Sequence, residues 1–186
     1  MNKSPDMKLY LSLLLSLFFF SAISQTLNDS LKQQLIKDWG RAKVYTQEYL
    51  DAMPASKYGF RPVDSMRSFA EQMLHLASAN AYFTSVNTGV RSPIFSQNLE
   101  KSPTASNRDS VEYYVNTSYD LMTNSLKNMD PSKLSEILTQ GSGANGRSET
   151  RLVWLMKAFE HQTHHRGQCT VYIRLQGIRP PAERLF

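Results

Sequence analysis

Residues Phe159–Pro181, FEHQTHHRGQCTVYIRLQGIRPP, contain three of the four histidines of the chain within five positions. Apolar residues recur here every three or four positions, which is the period of an α-helix packed on its neighbours. Gly177 suits the left-handed turn that ends many helices, and the two prolines that follow cannot continue one. We therefore predict a last helix from Glu149 to about Gln176, with Ser148 as its N-cap.

Toward the N-terminus, the same period predicts three more long helices, with no convincing strand between them. They cover residues 27–53, the segment from Asp64 or Ser65 to about residue 88, and residues 108–129. The polar connection from Gly89 to Asn107 is longer than most connections inside a bundle, which indicates a crossover or a rim over a site. We therefore predict an all-α fold, a four-helix bundle with long crossover loops.

The composition indicates an ordinary globular domain. The chain has 186 residues, 41% of them hydrophobic and 20% charged, which suits one compact domain. Its formal net charge of +5 is a mild excess, and no run of Lys and Arg interleaved with aromatic residues accompanies it. We therefore expect no nucleic-acid partner. Cys169 is the only cysteine, so no disulfide can form within the chain.

The N-terminus, residues 1–24, is typical of a secretory signal peptide. Lys3 and Lys8 precede an apolar run, and small residues follow it. Cleavage after Ser24 would leave a mature domain of residues 25–186, exported to a bacterial periplasm or to the exterior. The alternative is an uncleaved membrane anchor, although the apolar run is short for a bilayer span. After cleavage we expect no membrane span, because no later segment is apolar enough.

The histidines of the last helix divide by geometry, since successive residues are rotated by about 100°. His161 and His165 lie one turn apart, so their imidazole nitrogens can converge on one metal ion. His164 lies about 60° from His161 around the helix, and we expect a surface or orienting role for it. The alternative for the pair is chance, because H-x-x-x-H occurs on many helices. The pair belongs to a seam spaced by three and four: Trp154, Ala158, His161, His165, Gln168 and Tyr172.

His75, on the second predicted helix, is a candidate third ligand. If its side of that helix faces the seam of the last helix, three histidines meet and leave coordination positions open. The alternative is a structural histidine, facing solvent or partly buried. His75 belongs to a stripe of the same spacing beside the apolar face: Ser68, Gln72, His75, Ala79 and Tyr82.

Two further features restrict the chemistry. Gln162 stands where a zincin has its general base Glu, so a metalloprotease of that type is not expected. Glu160 and Glu71 are the nearest acidic candidates in the sequence. Cys169, one turn past His165, can approach the site or be a small buried residue.

Two stretches resemble the DinB-like (DinB/YfiT) superfamily, bacterial four-helix-bundle proteins regarded as candidate metalloenzymes. HQTHHRGQCTVYIRLQGIRPP is similar to the family's H-x-x-x-H-R-G-Q motif and its Y-L-R-x-x-G-x-x-P-P tail, with Ile173 in place of the Leu. MPASKYGFRPVDSMRSFAEQMLHLA, residues 53–77, is similar to the family's entry into its second helix. The resemblance covers most of the mature chain.

The resemblance implies a metal triad at His75, His161 and His165, the histidines that helix geometry also selects. It further implies a divalent transition metal such as zinc or nickel, with open positions for water. Some relatives are thiol S-transferases and others use the fold for isomerase or hydrolase chemistry, so fold and metal site transfer better than activity. The export signal weakens the thiol-transferase interpretation, because many such relatives are cytosolic.

The leading hypothesis is a metal-dependent enzyme that activates water or a thiol for hydrolysis or transfer on a small molecule. Gln168, Arg166 or Tyr172 are candidates to orient the substrate. The alternative is a non-catalytic metal-binding or stress-associated bundle in which the metal is a structural clamp. A metal carrier and a lipid-binding helical protein are further alternatives. The sequence is compatible with a homodimer and does not determine the oligomeric state.

Overall fold

A computed structural model gives the backbone of residues 7–142 and 146–186 and the side chains of residues 25–142 and 146–186. The prediction of a mostly helical fold with four long helices is confirmed. The predicted signal peptide, residues 1–24, lies outside the residues whose side chains are described and stays a prediction. Over the described residues, none of the helices is at once long enough and apolar enough to cross a membrane. The helices are α1 (Met7–Ala52), α2 (Phe69–Thr88), α3 (Arg108–Asn128) and α4 (Arg151–Leu175).

The four helices share one hydrophobic core. α2 packs against α3 and α4, and α1 packs against the same two helices. Trp39 of α1 contacts both Tyr119 of α3 and Phe159 of α4, at ring-centroid distances of 5.8 and 5.6 Å. Interlocking aromatic rings of this kind fix the spacing between helices. The largest fully buried side chains include Trp39, Tyr58, Tyr119, Tyr172, Phe69, Leu50 and Met53.

α2 begins at Phe69, later than the predicted start at residue 64 or 65. Ser68 caps the helix, because its Oγ accepts from the Glu71 amide at 3.2 Å and the Glu71 carboxylate accepts from the Ser68 amide at 2.6 Å. The amides of the first two helical residues bond to carbonyls of the turn before the helix. Since these amides have no partner inside a helix, the preceding turn and the capping box together set the start.

The start of α4 also differs from the prediction, because a β-hairpin precedes it. β1 (Ile137–Gln140) pairs antiparallel with β2 (Arg147–Thr150), where the sequence predicted only helix and loop. Ser148 and Glu149 therefore belong to a strand, and the predicted N-cap at Ser148 is wrong. Thr150 is the N-cap instead, and its Oγ1 accepts from an amide of the first helical turn at 3.3 Å.

Glycines end two of the helices, and one of them is the predicted stop at Gly177. Gly89 after α2 and Gly177 after α4 have φ angles of 75° and 74°, in the left-handed region that favours glycine. The connection between α2 and α3 contains two short 3₁₀ turns, Pro93–Phe95 and Leu99–Lys101. Leu99 is buried in the core, and it holds this connection against the helices.

Candidate metal centre

Three histidines from two helices meet between α2 and α4. His75 lies on α2, and His161 and His165 lie on α4. One nitrogen from each ring lies within 4.8 Å of the corresponding nitrogens of the other two. The ring centroids are 4.5 to 5.4 Å apart. The structure thus brings together the three side chains that the sequence singled out, and their role as metal ligands stays a prediction.

Gln72 orients the His165 ring. The Gln72 Oε1 atom lies 2.8 Å from His165 Nδ1, and an amide oxygen only accepts, so Nδ1 carries the proton. The amide orientation is set by Tyr172, whose OH donates to the Arg67 carbonyl at 2.7 Å and accepts from Gln72 Nε2 at 3.4 Å. The Nε2 lone pair of His165 is therefore left for a ligand.

Glu100 orients the His75 ring in the same way. Its Oε1 lies 2.9 Å from His75 Nδ1, and its Oε2 accepts from Arg67 Nε at 2.7 Å. A carboxylate beside Nδ1 fixes the proton there and leaves the opposite nitrogen for a ligand, an arrangement common behind metal-binding histidines. Sequence reasoning missed Glu100 as a site residue. The available signal was that Glu100 is the single acidic residue in the long connection predicted to form a rim.

The third ring, His161, has an unpartnered buried nitrogen. No hydrogen-bond partner for its Nδ1 exists among residues 25–142 and 146–186. A buried polar atom without a partner costs free energy, and such atoms in folded proteins are rare. An imidazole nitrogen in this condition is available to bind a metal ion, so the donor set fits a metal centre.

The protonation state of the cluster also fits a metal. Burial lowers the pKa of His165 to about 3, and the neighbouring imidazoles of His161, His75 and His164 act in the same direction. Burial likewise lowers the pKa of His161. Both rings are therefore neutral near pH 7, which is the form that binds metals. Imidazole donors suit a divalent transition metal and leave its identity open.

His164 and Cys169 lie outside the cluster. His164 is exposed, and its Nε2 lies 2.8 Å from Gln168 Nε2. Its position agrees with the rotation of about 60° expected on the helix. Cys169 is fully buried in the core, and burial raises the pKa of its thiol. The thiol is therefore protonated and unreactive at neutral pH.

The two acidic candidates from the sequence are engaged elsewhere. Glu160 is exposed and forms an ion pair with Lys157 at 2.7 Å. Glu71 caps α2 and forms an ion pair with Arg61 at 2.7 Å. The carboxylate beside the histidines is thus Glu100, which comes from a loop and not from the helices that carry the ligands.

Arg166 and Gln162 face another part of the core. Arg166 is buried, donates to Gln162 Oε1 at 2.7 Å and lies over the Tyr45 ring at 4.7 Å from its centroid. The same Gln162 oxygen accepts from the Tyr119 hydroxyl at 2.8 Å. Arg166 is therefore tied into contacts with α1 and α4, and the structure does not bring it to the three histidines as a substrate-orienting group.

The surroundings of the cluster are asymmetric. The Phe83 ring lies 5.9 Å from the His161 ring and 6.5 Å from Trp154, centroid to centroid. Trp154 Nε1 donates to the Leu138 carbonyl at 3.2 Å, so the β-hairpin holds this indole in place. The side of the cluster near His161 is therefore aromatic. The side near His75 carries charged groups.

Comparisons with known proteins place the chain among helical relatives. A family model described as the DinB family matches residues 24–184. The chain is similar to a solved DinB-like protein from Bacillus cereus ATCC 10987, with a TM-score of 0.67, 19% identity, and coverage of 82% of this chain and 97% of the other. A DinB-like protein from Bacillus subtilis, YjoA, gives a TM-score of 0.60, 20% identity, and coverage of 82% and 96%.

A conserved protein from Enterococcus faecalis gives a TM-score of 0.59, 18% identity, and coverage of 77% and 95%. At these identities the likeness to solved structures concerns the fold alone. A search of curated proteins finds no match to this chain.

Proposed function

The chain belongs to the DinB family, and on that premise we propose that it is a metal-dependent enzyme. In this proposal His75, His161 and His165 hold one divalent transition metal ion, with zinc or nickel as the first candidates. The reaction is hydrolysis or group transfer on a small molecule. The observation that carries the proposal is the convergence of three imidazole nitrogens within 4.8 Å.

The number of ligands favours a catalytic centre. Structural zinc sites are usually closed by four protein ligands, whereas catalytic sites keep a position for water or substrate. Among the described residues, the only group of three or more His, Cys, Asp or Glu side chains close enough to hold an ion consists of these three histidines. A set of three leaves coordination positions open.

Each residue around the centre has a definite task in this proposal. When bound, the ion supplies Lewis acidity and lowers the pKa of a water or thiol nucleophile. Glu100 holds the His75 proton at Nδ1, and Gln72 does the same for His165. Phe83 and Trp154 line the side of His161 with aromatic rings, and apolar surroundings strengthen charge interactions.

A second candidate function is a non-catalytic metal-binding protein. The observation that favours it is that the ligands come from both α2 and α4, so a bound ion would clamp two helices together. Both candidates require metal binding. They differ in that the second predicts no turnover of any small molecule.

Metal analysis of the purified full chain tests the common step. We expect about one zinc or nickel ion per chain after loading, and a loss of binding in His161→Ala and His165→Ala. His164→Ala is the matched control, since its ring is exposed and lies outside the cluster, and this variant should bind like the parent protein. Less than about a tenth of an ion per chain, unchanged by incubation with either metal, contradicts the proposal.

Turnover then separates the two candidates. The metal-loaded protein is assayed against a panel of ester, amide and phosphoester substrates, and against electrophiles with a small thiol as co-substrate. We expect turnover that His161→Ala abolishes and His164→Ala retains. If no substrate of the panel is turned over and metal still raises the stability of the protein, the result favours the second candidate, in which the ion clamps α2 and α4 together.

We also propose that residues 1–24 direct export of the domain. The support is the sequence pattern of lysines and an apolar run, together with a family match that begins at residue 24, next to the predicted boundary. N-terminal sequencing of the protein from the periplasm of a bacterial host should show Gln25 as the first residue. A cell-associated chain that keeps Met1 contradicts the cleavage.

A further inference from the structure

The guanidinium of Arg67 lies on the charged side of the three-histidine cluster and has no role in the metal centre proposed above. Arg67 lies just before α2, and two of its groups are fixed. Its carbonyl accepts from the Tyr172 hydroxyl at 2.7 Å, and its Nε donates to Glu100 Oε2 at 2.7 Å. Tyr172 also bonds to Gln72, the partner of His165, and Glu100 bonds to His75. The groups that hold Arg67 are thus the groups that orient two of the ring nitrogens.

The outer edge of the Arg67 guanidinium is available. Its side chain is 40% exposed, and its two Nη atoms have no hydrogen-bond partner in the described part of the chain. A guanidinium presents five donors in a planar fork that matches a carboxylate or a phosphate. Because Glu100 takes only the Nε donor, the two Nη groups remain for a ligand.

Arg61, in the same region, is an arginine whose two Nη atoms both have partners. Its side chain has nearly the same exposure, 39%. Its Nη1 donates to the Met66 carbonyl at 2.8 Å, and its Nη2 donates to both carboxylate oxygens of Glu71 at 2.9 and 2.7 Å. Two arginines of equal exposure therefore differ in whether their outer donors are used.

The balance of charge at the centre favours an anion. Imidazole ligands bring no negative charge to a metal site, so a bound divalent ion would be the largest local charge. Glu100 is offset by Arg67, and Glu71 is offset by Arg61. Glu100 bonds to Arg67 through Oε2 and to His75 through Oε1, so one carboxylate holds both the guanidinium and this ring.

We propose that Arg67 binds the anionic group of the substrate, so that the centre acts on small molecules that carry a carboxylate or a phosphate. The proposal rests on the proposed metal centre and adds the class of substrate to it. Glu100 then has two roles. Its Oε1 orients the His75 ring, and its Oε2 holds Arg67 by Nε so that the two Nη atoms are left for the substrate. A substrate held by its anion on Arg67 would present a second group to the open coordination positions.

Anion binding to the cobalt(II)-loaded full chain tests the proposal, because cobalt absorbs visible light when protein ligands hold it. Acetate, benzoate and inorganic phosphate are titrated at saturating cobalt, with benzamide as the neutral counterpart of benzoate. We expect at least one anion to change the spectrum, and Arg67→Gln to raise its Kd about tenfold or more. Arg67→Lys should lie between the two, since it keeps the charge and loses the fork.

Arg61→Gln is the matched control and should change the Kd less than about threefold, because both Nη atoms of Arg61 already bond to the Met66 carbonyl and to Glu71. Whether acetate or phosphate responds more strongly to Arg67→Gln distinguishes the two anion classes. An equal Kd in the parent protein and Arg67→Gln, or no spectral change with any anion, overturns the proposal. A chain that takes up no cobalt refutes the metal centre itself, and the substrate proposal falls with it.

Discussion

Two pairs of polar residues lie side by side on α4 with the same spacing. His161 and His165 form one pair, and Gln162 and Arg166 form the other, each pair separated by one helical turn. The two pairs are rotated by about 100° relative to each other. The histidines face α2 and its following connection, whereas Gln162 and Arg166 face α1 and α3.

The two pairs differ in whether all of their buried polar atoms have hydrogen-bond partners. Gln162 Oε1 accepts from both Arg166 and Tyr119, and Tyr119 in turn lies 2.8 Å from Thr46 Oγ1. The histidine pair keeps a buried, unpartnered nitrogen on His161 in the described part of the chain. The same spacing thus gives a closed network of hydrogen bonds at Gln162 and Arg166, and a set of donors open to a ligand at His161 and His165. The difference arises from the side chains that the neighbouring helices place opposite each pair.

Gln162→Leu should break the closed network with the largest effect on stability. Leucine has a similar volume but no acceptor, so the buried Arg166 and Tyr119 lose their shared oxygen. We expect the free energy of unfolding of the metal-free chain to fall by about 3 kcal/mol, because buried donors to a lost partner are costly, and more so when charged. Urea unfolding measures this change.

Gln168→Leu is the matched control, since this glutamine of α4 bonds to the exposed His164. It should cost less than about 1 kcal/mol. The zinc affinity of folded Gln162→Leu should stay within about threefold of the parent value, because its face does not contact the cluster. A cost below 1 kcal/mol, or a loss of zinc affinity beyond tenfold, would show that the two faces are not separate in function.

The features of the histidine face that depend only on local sequence were predictable. The i, i+4 relation of His161 and His165 and the exclusion of His164 follow from helical rotation alone, and the structure agrees with both. The roles of Gln72 and Glu100 depend on which segments pack across α4. No local pattern specifies that packing, and so the orienting partners of His165 and His75 were not predicted.

The error at the start of α4 has a similar cause. Ser148 and Thr150 are both suitable N-caps, and local sequence does not choose between them. Pairing with β1 decides between them, because β1 pairs with residues 147–150 and Ser148 therefore lies inside strand β2. Strands of four residues are short, and their pairing is a non-local contact that hydrophobic period does not reveal. The helix ends at Gly89 and Gly177 were predictable because a glycine stop is local.

Zinc should stabilise the open face and leave the closed one unaffected. At a free concentration of 100 times its Kd, zinc is expected to raise the free energy of unfolding by about 2.7 kcal/mol, because it binds the folded chain. The increment should be equal in Gln162→Leu and absent in His165→Ala. Urea unfolding with buffered zinc and with chelator measures it. An increment that persists in His165→Ala would place the ion elsewhere on the chain.

Glu100→Gln should weaken the open face without dismantling it. The amide oxygen of glutamine can still accept from His75 Nδ1, but the negative charge beside the ring is lost. We expect a drop in zinc affinity of about tenfold, or about 1.4 kcal/mol. Competition with a chromogenic chelator measures the Kd. Glu160→Gln is the control and should leave the zinc affinity unchanged, because Glu160 is exposed and paired with Lys157. If Glu100→Gln also leaves the zinc affinity unchanged, Glu100 is not part of the site.

The smallest expected difference between the two faces lies in their response to acid. Because burial lowers the pKa of His165 to about 3, below the value near 6.5 of an unfolded histidine, the unfolded chain binds more protons between these values. This contribution to stability is present above pH 6.5 and is lost as the pH falls toward 3. The other pair, Gln162 and Arg166, contains neither a histidine nor a carboxylate.

For the metal-free chain in chelator, we expect His165 to account for about 1 kcal/mol of lost stability between pH 7 and pH 5.5. Urea unfolding of the parent protein and of His165→Asn at both pH values isolates this share, since the carboxylates are common to both proteins. His164→Asn, which alters an exposed ring, should keep most of the dependence of the parent, because burial is the main cause of the low pKa of His165. An identical pH dependence in His165→Asn and the parent would mean that the His165 ring is not desolvated, and that both faces of α4 are equally insensitive to protons.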